Sequence, residues 1–420
     1  MKINWKKILV VLLSVCSLVG AFFLGFFARG LSYQGVQRAL FNILDKYYSE
    51  YLYSEDDVID IISDALFDKY STFYTKEEYD KKKQEALGDR VGLGISFLSP
   101  SLKIYSVILN SPAFNSGVRS GGELKSATYN GETTSFSTFE EFSSYVDNIS
   151  NGIDVTYDIL YGETLKSYTI KKAEYNQSYV IYANSEGSYY YTDKSGTFAL
   201  ELYDDSFKVN GNVGYIKYTN FDGRENNESG SLWQFKNALD NFKRDGKTKL
   251  ILDLRNNGGG YMDILTKISG CLIKKDGANT KIAVAKDKHQ NERSYYLENS
   301  CYDNYNFEKI IVLANENTAS ASEALIGAML DYDVDNKLTV VLDGHLVNGE
   351  VVYKTYGKGI MQTTYEYIDG SAIKITTAEI YFPKSNISIH KKGITTAIST
   401  KVVNATNGDA LSFALDILNG

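Results

Sequence analysis

Apolar residues run without a charge from position 8 to 28, recur at helical spacing through 32–88, and then break into short runs set between turn residues. Each pattern predicts a different structure. The first run has about the ~20 residues a helix needs to cross a ~30 Å hydrocarbon layer, and it predicts a membrane span. Lys2, Lys6 and Lys7 precede it and only Arg29 closely follows, which assigns the lysines to the cytoplasm and residues 30–420 to the outside. A cleaved signal peptide is the competing reading, but a cut after Ala28 would set bulky Phe26 at the third position back. Cys16 suits lipidation poorly, since Val15 precedes it and the apolar run continues beyond it.

Within 32–88, Val36, Leu40, Leu44 and Tyr48 recur every fourth position, and Val58, Ile61, Ile62, Ala65 and Leu66 follow the 3.6-residue period, which predicts helices. After Gly88, short runs such as Val91-Gly92-Leu93-Gly94-Ile95-Ser96-Phe97 and Ile104-Tyr105-Ser106-Val107-Ile108 predict a small mixed module. The polar, Tyr-rich stretch 173–195 reads as a connector. From Asn212 onward, strands at 213–217, 249–254, 281–285 and 309–314 alternate with helices at 231–244, 262–272 and 321–332. That alternation predicts an α/β core with a largely parallel sheet. Segments at 338–342, 350–356, 360–367 and 372–381 read as added strands, and 409–418 as a closing helix.

Length changes this picture only by allowing about two to four domains. With 43 % apolar and 23 % charged residues, the 420-residue chain can bury real cores. Its net charge of −8, with no basic run longer than Lys81-Lys82-Lys83, argues against nucleic acid as a partner. Cys16, Cys271 and Cys301 lack the paired spacing of zinc sites, and His289, His345 and His390 form no metal-ligand motif, so no metal is expected. An outside location permits a Cys271–Cys301 disulfide, and two buried thiols are the alternative.

Three segments carry candidate chemistry. The strand Leu250-Ile251-Leu252-Asp253-Leu254 runs into Arg255-Asn256-Asn257-Gly258-Gly259-Gly260, where consecutive glycines let backbone N–H groups approach a ligand. A flexible turn is the plain alternative, and neither phosphate-loop pattern is present. The strand Ile310-Ile311-Val312-Leu313-Ala314 leads to Thr318-Ala319-Ser320-Ala321-Ser322-Glu323 at a helix start. Ser320 and Glu323 form a capping-box pattern, yet a hydroxyl at a helix N-terminus is also well placed as a nucleophile. Third, Gly357-Lys358-Gly359 precedes Ile360-Met361-Gln362; on a strand Lys358 and Gln362 would share a face, and the amide could orient the amine. A lysine acts as a base only when neutral, so its pKa must fall from about 10.4 to near 7–8.

This ordered set resembles the carboxyl-terminal processing peptidases, or tail-specific proteases, from about residue 40 to 418. Supporting motifs are 68–79 (DKYSTFYTKEEY), Val91 to Phe97, Ser111-Pro112-Ala113 through Gly117-Val118 to Asn130-Gly131, Gly214-Tyr215-Ile216, and Ser371 to Ala378. Taken with the patterning above, the chain reads as an α/β fold laid out as a transmembrane anchor at 1–30, a helical region at 31–88, a PDZ-like domain at 89–172, which the resemblance implies, and a serine peptidase domain with added strands at 173–420. The resemblance implies Ser320 as nucleophile, Lys358 as general base, Gln362 as the residue that positions the lysine, and oxyanion donors among Gly259, Gly260 and Ala321. Ser322 becomes a neighbour, and Asp331 matches an acidic position of structural role. In the PDZ-like part, the N–H groups of Leu93, Gly94 and Ile95 would capture a terminal carboxylate beside an added peptide strand.

The expectation is therefore a membrane-anchored serine endopeptidase acting outside the cytoplasmic membrane on proteins with exposed C-terminal tails, with no cofactor. Homo-oligomerisation stays open. A catalytically silent peptide-binding scaffold of the same fold is the alternative. The chain departs from the family's usual pattern in three places. The interval from Ser320 to Lys358 is long, which leaves Lys354 as a rival, and Asn348-Gly349 predicts a hairpin inside it. Gly121-Gly122-Glu123 stands where Gly-Asp is usual, and Gly258 where Pro is usual.

Overall fold

The apolar runs at 213–218, 249–253, 309–314 and 338–342 pair in parallel within one eight-stranded sheet, because side chains buried on both faces suit the interior of a parallel sheet. The computed structural model describes residues 68–97, 101–185, 188–193, 196–200, 209, 211–223, 230–305, 307–406 and 409–419. The predicted membrane span and the predicted helices before residue 68 lie outside these. Among the described residues no helix is long and apolar enough to cross a membrane.

The described residues open with β1 (Thr72–Tyr74) and α1 (Lys76–Ala86), so 72–74 is strand where helix was expected. A module follows: β2 (Asp89–Gly92), β3 (Ile95–Phe97), β4 (Ile104–Val107), α2 (Pro112–Asn115), β5 (Glu123–Tyr129), β6 (Glu132–Ser135), α3 (Phe139–Asp147), β7 (Asp154–Tyr161), β8 (Thr164–Lys171) and β9 (Ala173–Asn176). Strands β6-β5-β7-β8 form a sheet and β3 pairs with β4. The pairing of β2 with β9 brings the module's two ends together. Its core of Leu93, Ile104, Ala113, Val118, Leu124, Phe142, Tyr157, Ile159 and Ile170 is its own.

Strands β10 (Val180–Ser185) and β11 (Ser188–Asp193) occupy the stretch read as a connector, and β12 (Gly196–Leu200) directly follows it. They extend the main sheet antiparallel to β13 (Val213–Tyr218), and the tyrosines that made the stretch look polar are core residues: Tyr182, Tyr189 and Tyr191 are all buried. Then come α4 (Ser231–Arg244), β14 (Lys249–Asp253), α5 (Met262–Leu272), β15 (Lys281–Lys286), β16 (Glu292–Tyr296), α6 (Tyr302–Tyr305), β17 (Lys309–Ala314), α7 (Ala321–Tyr332) and β18 (Leu338–Leu342). The chain ends with β19 (His345–Val347), β20 (Glu350–Val352), β21 (Ile360–Glu366), β22 (Ala372–Tyr381), β23 (Val402–Asn404) and α8 (Ala410–Asn419).

The main sheet runs β12-β11-β10-β13-β14-β17-β18-β23, and β13, β14, β17, β18 and β23 pair in parallel. Alternate residues feed two cores. Leu250, Leu252, Ile310, Val312, Val340 and Leu342 join a core with residues of α4, α5 and α7. Ile251, Ile311, Leu313 and Val341 join one with α8 and with Leu109 of the module. Strand β15, expected in the parallel sheet, belongs instead to a separate one ordered β1-β22-β15-β16, with β21 on β22. Cys271 and Cys301 form a disulfide that ties the end of α5 to the start of α6.

Candidate active site

The loops that follow β13, β14 and β17 all leave the carboxyl ends of parallel strands, where an open α/β sheet places its ligand crevice. Asparagines and a threonine lock these loops together. Asn315 Oδ1 accepts the Asn256 N–H at 2.9 Å, Asn315 Nδ2 donates to Asn256 Oδ1 at 2.9 Å, and Thr318 Oγ1 donates to Leu254 O at 2.9 Å. Asn257, fully buried, donates through Nδ2 to Tyr218 O at 2.8 Å, while its own carbonyl accepts the Ala319 N–H at 3.0 Å and Ser322 Oγ at 3.1 Å. Ser322 is thus committed to holding the loops.

Ser320 caps α7 with φ +58° and ψ −116°, a conformation non-glycine residues adopt only under constraint, at a cost of order 1–3 kcal/mol. Glu323 Oε2 holds the Ser320 N–H at 3.0 Å, and Gly259 leaves the room this needs: a Cβ there would lie 2.7 Å from Ser320 Cβ and 2.8 Å from the Ala321 nitrogen. No other residue type allows that approach, and Gly259 sits at φ +102°. Its N–H donates to Asn257 Oδ1 at 2.9 Å, so this expected oxyanion donor is already used inside the loop, which a sequence motif cannot reveal. Gly260 bridges to Phe221, and among the described residues its N–H takes no backbone acceptor. Ala321, as the first helical residue, has no acceptor within its own helix.

Glu323 does far more than cap. It is fully buried, and its two oxygens gather four donors: Oε2 takes the N–H of Ser320 at 3.0 Å and of Lys358 at 2.9 Å, while Oε1 takes the Gly357 N–H at 2.8 Å and Thr355 Oγ1 at 2.5 Å. Because one oxygen holds both, the backbone nitrogens of Ser320 and Lys358 lie within about 6 Å of each other. Burial pushes the Glu323 pKa up, and the four donors pull against that rise. The sequence showed the capping pattern but carried no signal for the contacts to residues 355–358.

The glycines beside Lys358 have a steric reason. A Cβ on Gly359 would lie 2.6 Å from the His390 nitrogen, and one on Gly357 2.9 Å from the Gly393 nitrogen, because 389–394 passes directly over this segment. Burial, and then the nearby Lys374 charge, hold the Lys358 pKa below the ordinary lysine value, against opposing pulls from Tyr356, Asp68 and Glu323. The Nζ stands 4.7 Å from the Tyr70 ring centroid. Lys354 stands outside the segment that Glu323 grips. The long interval does contain the expected hairpin, β19 paired to β20 around Asn348 and Gly349, both at positive φ.

Gln362 is placed differently from expectation. Lys358 lies before β21 begins, and the register shift between Met361 and Gln362, which leaves Thr377 of β22 unpaired, sets Gln362 opposite Thr376. Its Nε2 donates to Thr376 Oγ1 at 3.0 Å, and among the described residues it makes no hydrogen bond with Lys358. In the module, Ile95 is paired in β3, while the carbonyls of Leu93 and Gly94 accept the Ala113 and Ile108 N–H groups at 2.9 and 2.8 Å. Gly94 could not be another residue, since its Cβ would lie 2.1 Å from that of Ser111.

Residues 212–400, which carry the Gly259, Ser320, Glu323 and Lys358 cluster, match the family model of peptidase family S41. The chain is also 29 % identical, over 94 % of its length and 73 % of the relative's, to a probable CtpA-like serine protease of Staphylococcus saprophyticus. It is 30 % identical to one of Staphylococcus aureus strain COL, over 80 % of this chain and 58 % of that one, and so spans less than two thirds of the S. aureus protein. This is a serine-type peptidase, similar to family S41 over residues 212–400. Its fold is that of the photosystem II D1 C-terminal processing protease, with a TM-score of 0.50 over 84 % of this chain and 85 % of that one at 18 % identity. Within residues 212–400, Asp331 Oδ2 accepts the Lys384 and Ser385 N–H groups at 2.8 and 3.0 Å.

Proposed function

We propose that the chain hydrolyses peptide bonds with Ser320 as nucleophile and Lys358 as general base. The observation that carries this reading is the single Glu323 oxygen that holds the backbones of both residues. The neutral Lys358 amine takes the proton from Ser320 Oγ as the oxygen attacks the scissile carbonyl. The amide N–H groups of Gly260 and Ala321 face the resulting oxyanion, and Gly259 supplies the space. The protonated lysine then gives its proton to the leaving amine, and water, activated by the same lysine, releases the acyl group. Gln362 acts from a distance, through Thr376 on β22.

Residues 89–172 act as a PDZ-like domain that binds an exposed C-terminal tail as an added strand beside β3, with its carboxylate at the Leu93–Gly94 turn. Aromatic packing of Phe97 with Phe139 and Phe142 suits an apolar terminal residue there. The N-terminal apolar run anchors the protein in the cell membrane with its catalytic part outside. The Cys271–Cys301 disulfide is consistent with that oxidising side.

The test compares cleavage of casein and of tailed peptides by the unaltered protein with Ser320→Ala and Lys358→Ala. Each variant should lose about a thousandfold or more in kcat/KM. Equal turnover in all three would end the reading. The rate should also rise with pH through the lowered Lys358 pKa, whereas a flat profile from about pH 6 to 10 would exclude a lysine base.

A further inference from the structure

The segment preceding β1 lies against the far end of the lysine. It is pinned by side chains: Asp68 Oδ2 accepts Thr376 Oγ1 at 2.6 Å, Asp68 Oδ1 accepts Ser71 Oγ at 2.7 Å, and Ser71 Oγ accepts the Thr376 N–H at 3.2 Å. Thr376 is also the acceptor for Gln362, so this anchor adjoins the Gln362 side chain. Between Asp68 and Ser71 stands Tyr70, whose ring meets Lys358 Nζ at 4.7 Å. The ring is itself held. Its hydroxyl bonds to Tyr356 Oη at 3.2 Å, and Lys69 Nζ donates to that same Tyr356 oxygen at 2.7 Å while standing 5.0 and 5.2 Å from the two rings.

We propose that Tyr70 is a positioning residue for Lys358, its ring shutting the amine away from water and fixing where it points. This rests on Lys358 being the general base. An aromatic face acts on a lysine in two opposed ways. Covering the amine favours the neutral form, by up to 3–5 pKa units at full burial, while the ring quadrupole favours the ammonium by roughly 0.5–2 kcal/mol. The groups around Lys358 decide the sum. Lys374 on β22 opposes the positive charge, and Tyr356 on the lysine's own segment, Asp68 before β1 and Glu323 on α7 favour it. Burial is the largest of these influences and leaves the lysine pKa lowered; the ring, 4.7 Å from Nζ, forms part of that cover, and its removal weighs the cover against the quadrupole.

The experiment titrates the Lys358 amine directly, by carbon-13 methylation and NMR in the full chain carrying Ser320→Ala, with the signal assigned by its loss in Lys358→Arg. Adding Tyr70→Ala should raise the midpoint by about half to one pH unit, a three- to tenfold change in the ionisation constant. Tyr70→Leu keeps an apolar cover without the quadrupole and should lower the midpoint. Tyr70→Phe should hold it within about 0.2 units, since the ring is retained. In the active chain the rising limb of kcat/KM against pH should move with each midpoint. An unmoved or lowered midpoint in Tyr70→Ala overturns the proposal. Should that variant not fold, an unmoved or raised midpoint in Tyr70→Leu overturns it. Failure of the dyad itself shows separately, as equal turnover by the unaltered chain and Lys358→Ala, because the titration does not depend on turnover.

Discussion

At the scale of single residues, Glu323 shows how one buried carboxylate can join parts of a site that are distant in sequence. Replacing it by glutamine puts an NH2 group where one pair of donors expects an acceptor, and a buried donor left unmatched costs about 1–3 kcal/mol. Glu323→Gln should therefore lower the urea midpoint of unfolding and cut kcat/KM at least tenfold, as the Ser320 and Lys358 backbones part. A variant with full activity would remove Glu323 from this role. Asp222 gives a prediction about pH. Burial raises its pKa from 3.8 to about 6, only partly offset by Arg90, whose Nη2 lies 3.9 Å away. An acid whose folded pKa is raised contributes stability below its unfolded pKa and loses it as pH climbs through the folded value. The chain should thus lose of order 2 kcal/mol between about pH 4 and 6 on this account, discounted because the side chain is not wholly covered. Asp222→Asn should flatten that slope in thermal unfolding at matched pH values. An unchanged slope would show that Asp222 does not titrate in this window.

At the scale of elements, the site is a meeting of loops at strand ends, each held by backbone contacts that tolerate no added atom. Gly359→Ala sets a Cβ 2.6 Å from the His390 nitrogen, so either β21 or the 389–394 crossing must shift. Overpacking of this kind costs about 1–3 kcal/mol. Activity should fall further than that figure implies, because Lys358 moves with the strand; wild-type kcat/KM in Gly359→Ala would refute the argument. The strand ends are also fixed by charge. Arg255 bonds the fully buried Asp253 at 2.7 Å and Asp343 at 3.0 Å, and Tyr215 Oη donates to Asp253 at 2.9 Å. The guanidinium beside Asp253 holds its carboxyl below the usual range even against burial. Most of these elements were legible in advance. The helices at 231–244, 262–272 and 321–332 have the predicted bounds, the first two because each carries an apolar face at helical period and the third because its residues 321–329 are buried in the core. The strands at 180–200 were not legible, since tyrosine looks polar in composition yet packs as an apolar body when its ring is covered. The 389–394 crossing carried no periodicity to read.

At the scale of the whole molecule, the disulfide joins cysteines separated by 30 residues and should contribute about 3–4 kcal/mol by restricting the unfolded chain. Reduction, or a Cys271→Ser and Cys301→Ser pair, should lower the unfolding midpoint while kcat/KM stays close to wild type, as the bond adjoins α5 and α6 rather than the serine. The module at 89–172 has its own core, yet Leu109 and Phe114 pack onto the main sheet, the latter against Tyr191 at 6.2 Å between ring centroids. Sequence alone determined the alternation of strands and helices, the glycine loop, the serine at a helix start and the glycine-flanked lysine, because period, turn chemistry and capping are local and leave their mark within a few residues. Tertiary structure decided which groups those residues meet. It turned Glu323 from a cap into a tie, used the Gly259 N–H within its own loop, sent Gln362 to Thr376 by way of a bulge, and brought Tyr70 over Lys358. The last of these joins segments hundreds of positions apart, and the Glu323 and Gln362 contacts join separate turns and strands; the free energy of such packing is a property of the assembled cores, which no short stretch of chain contains.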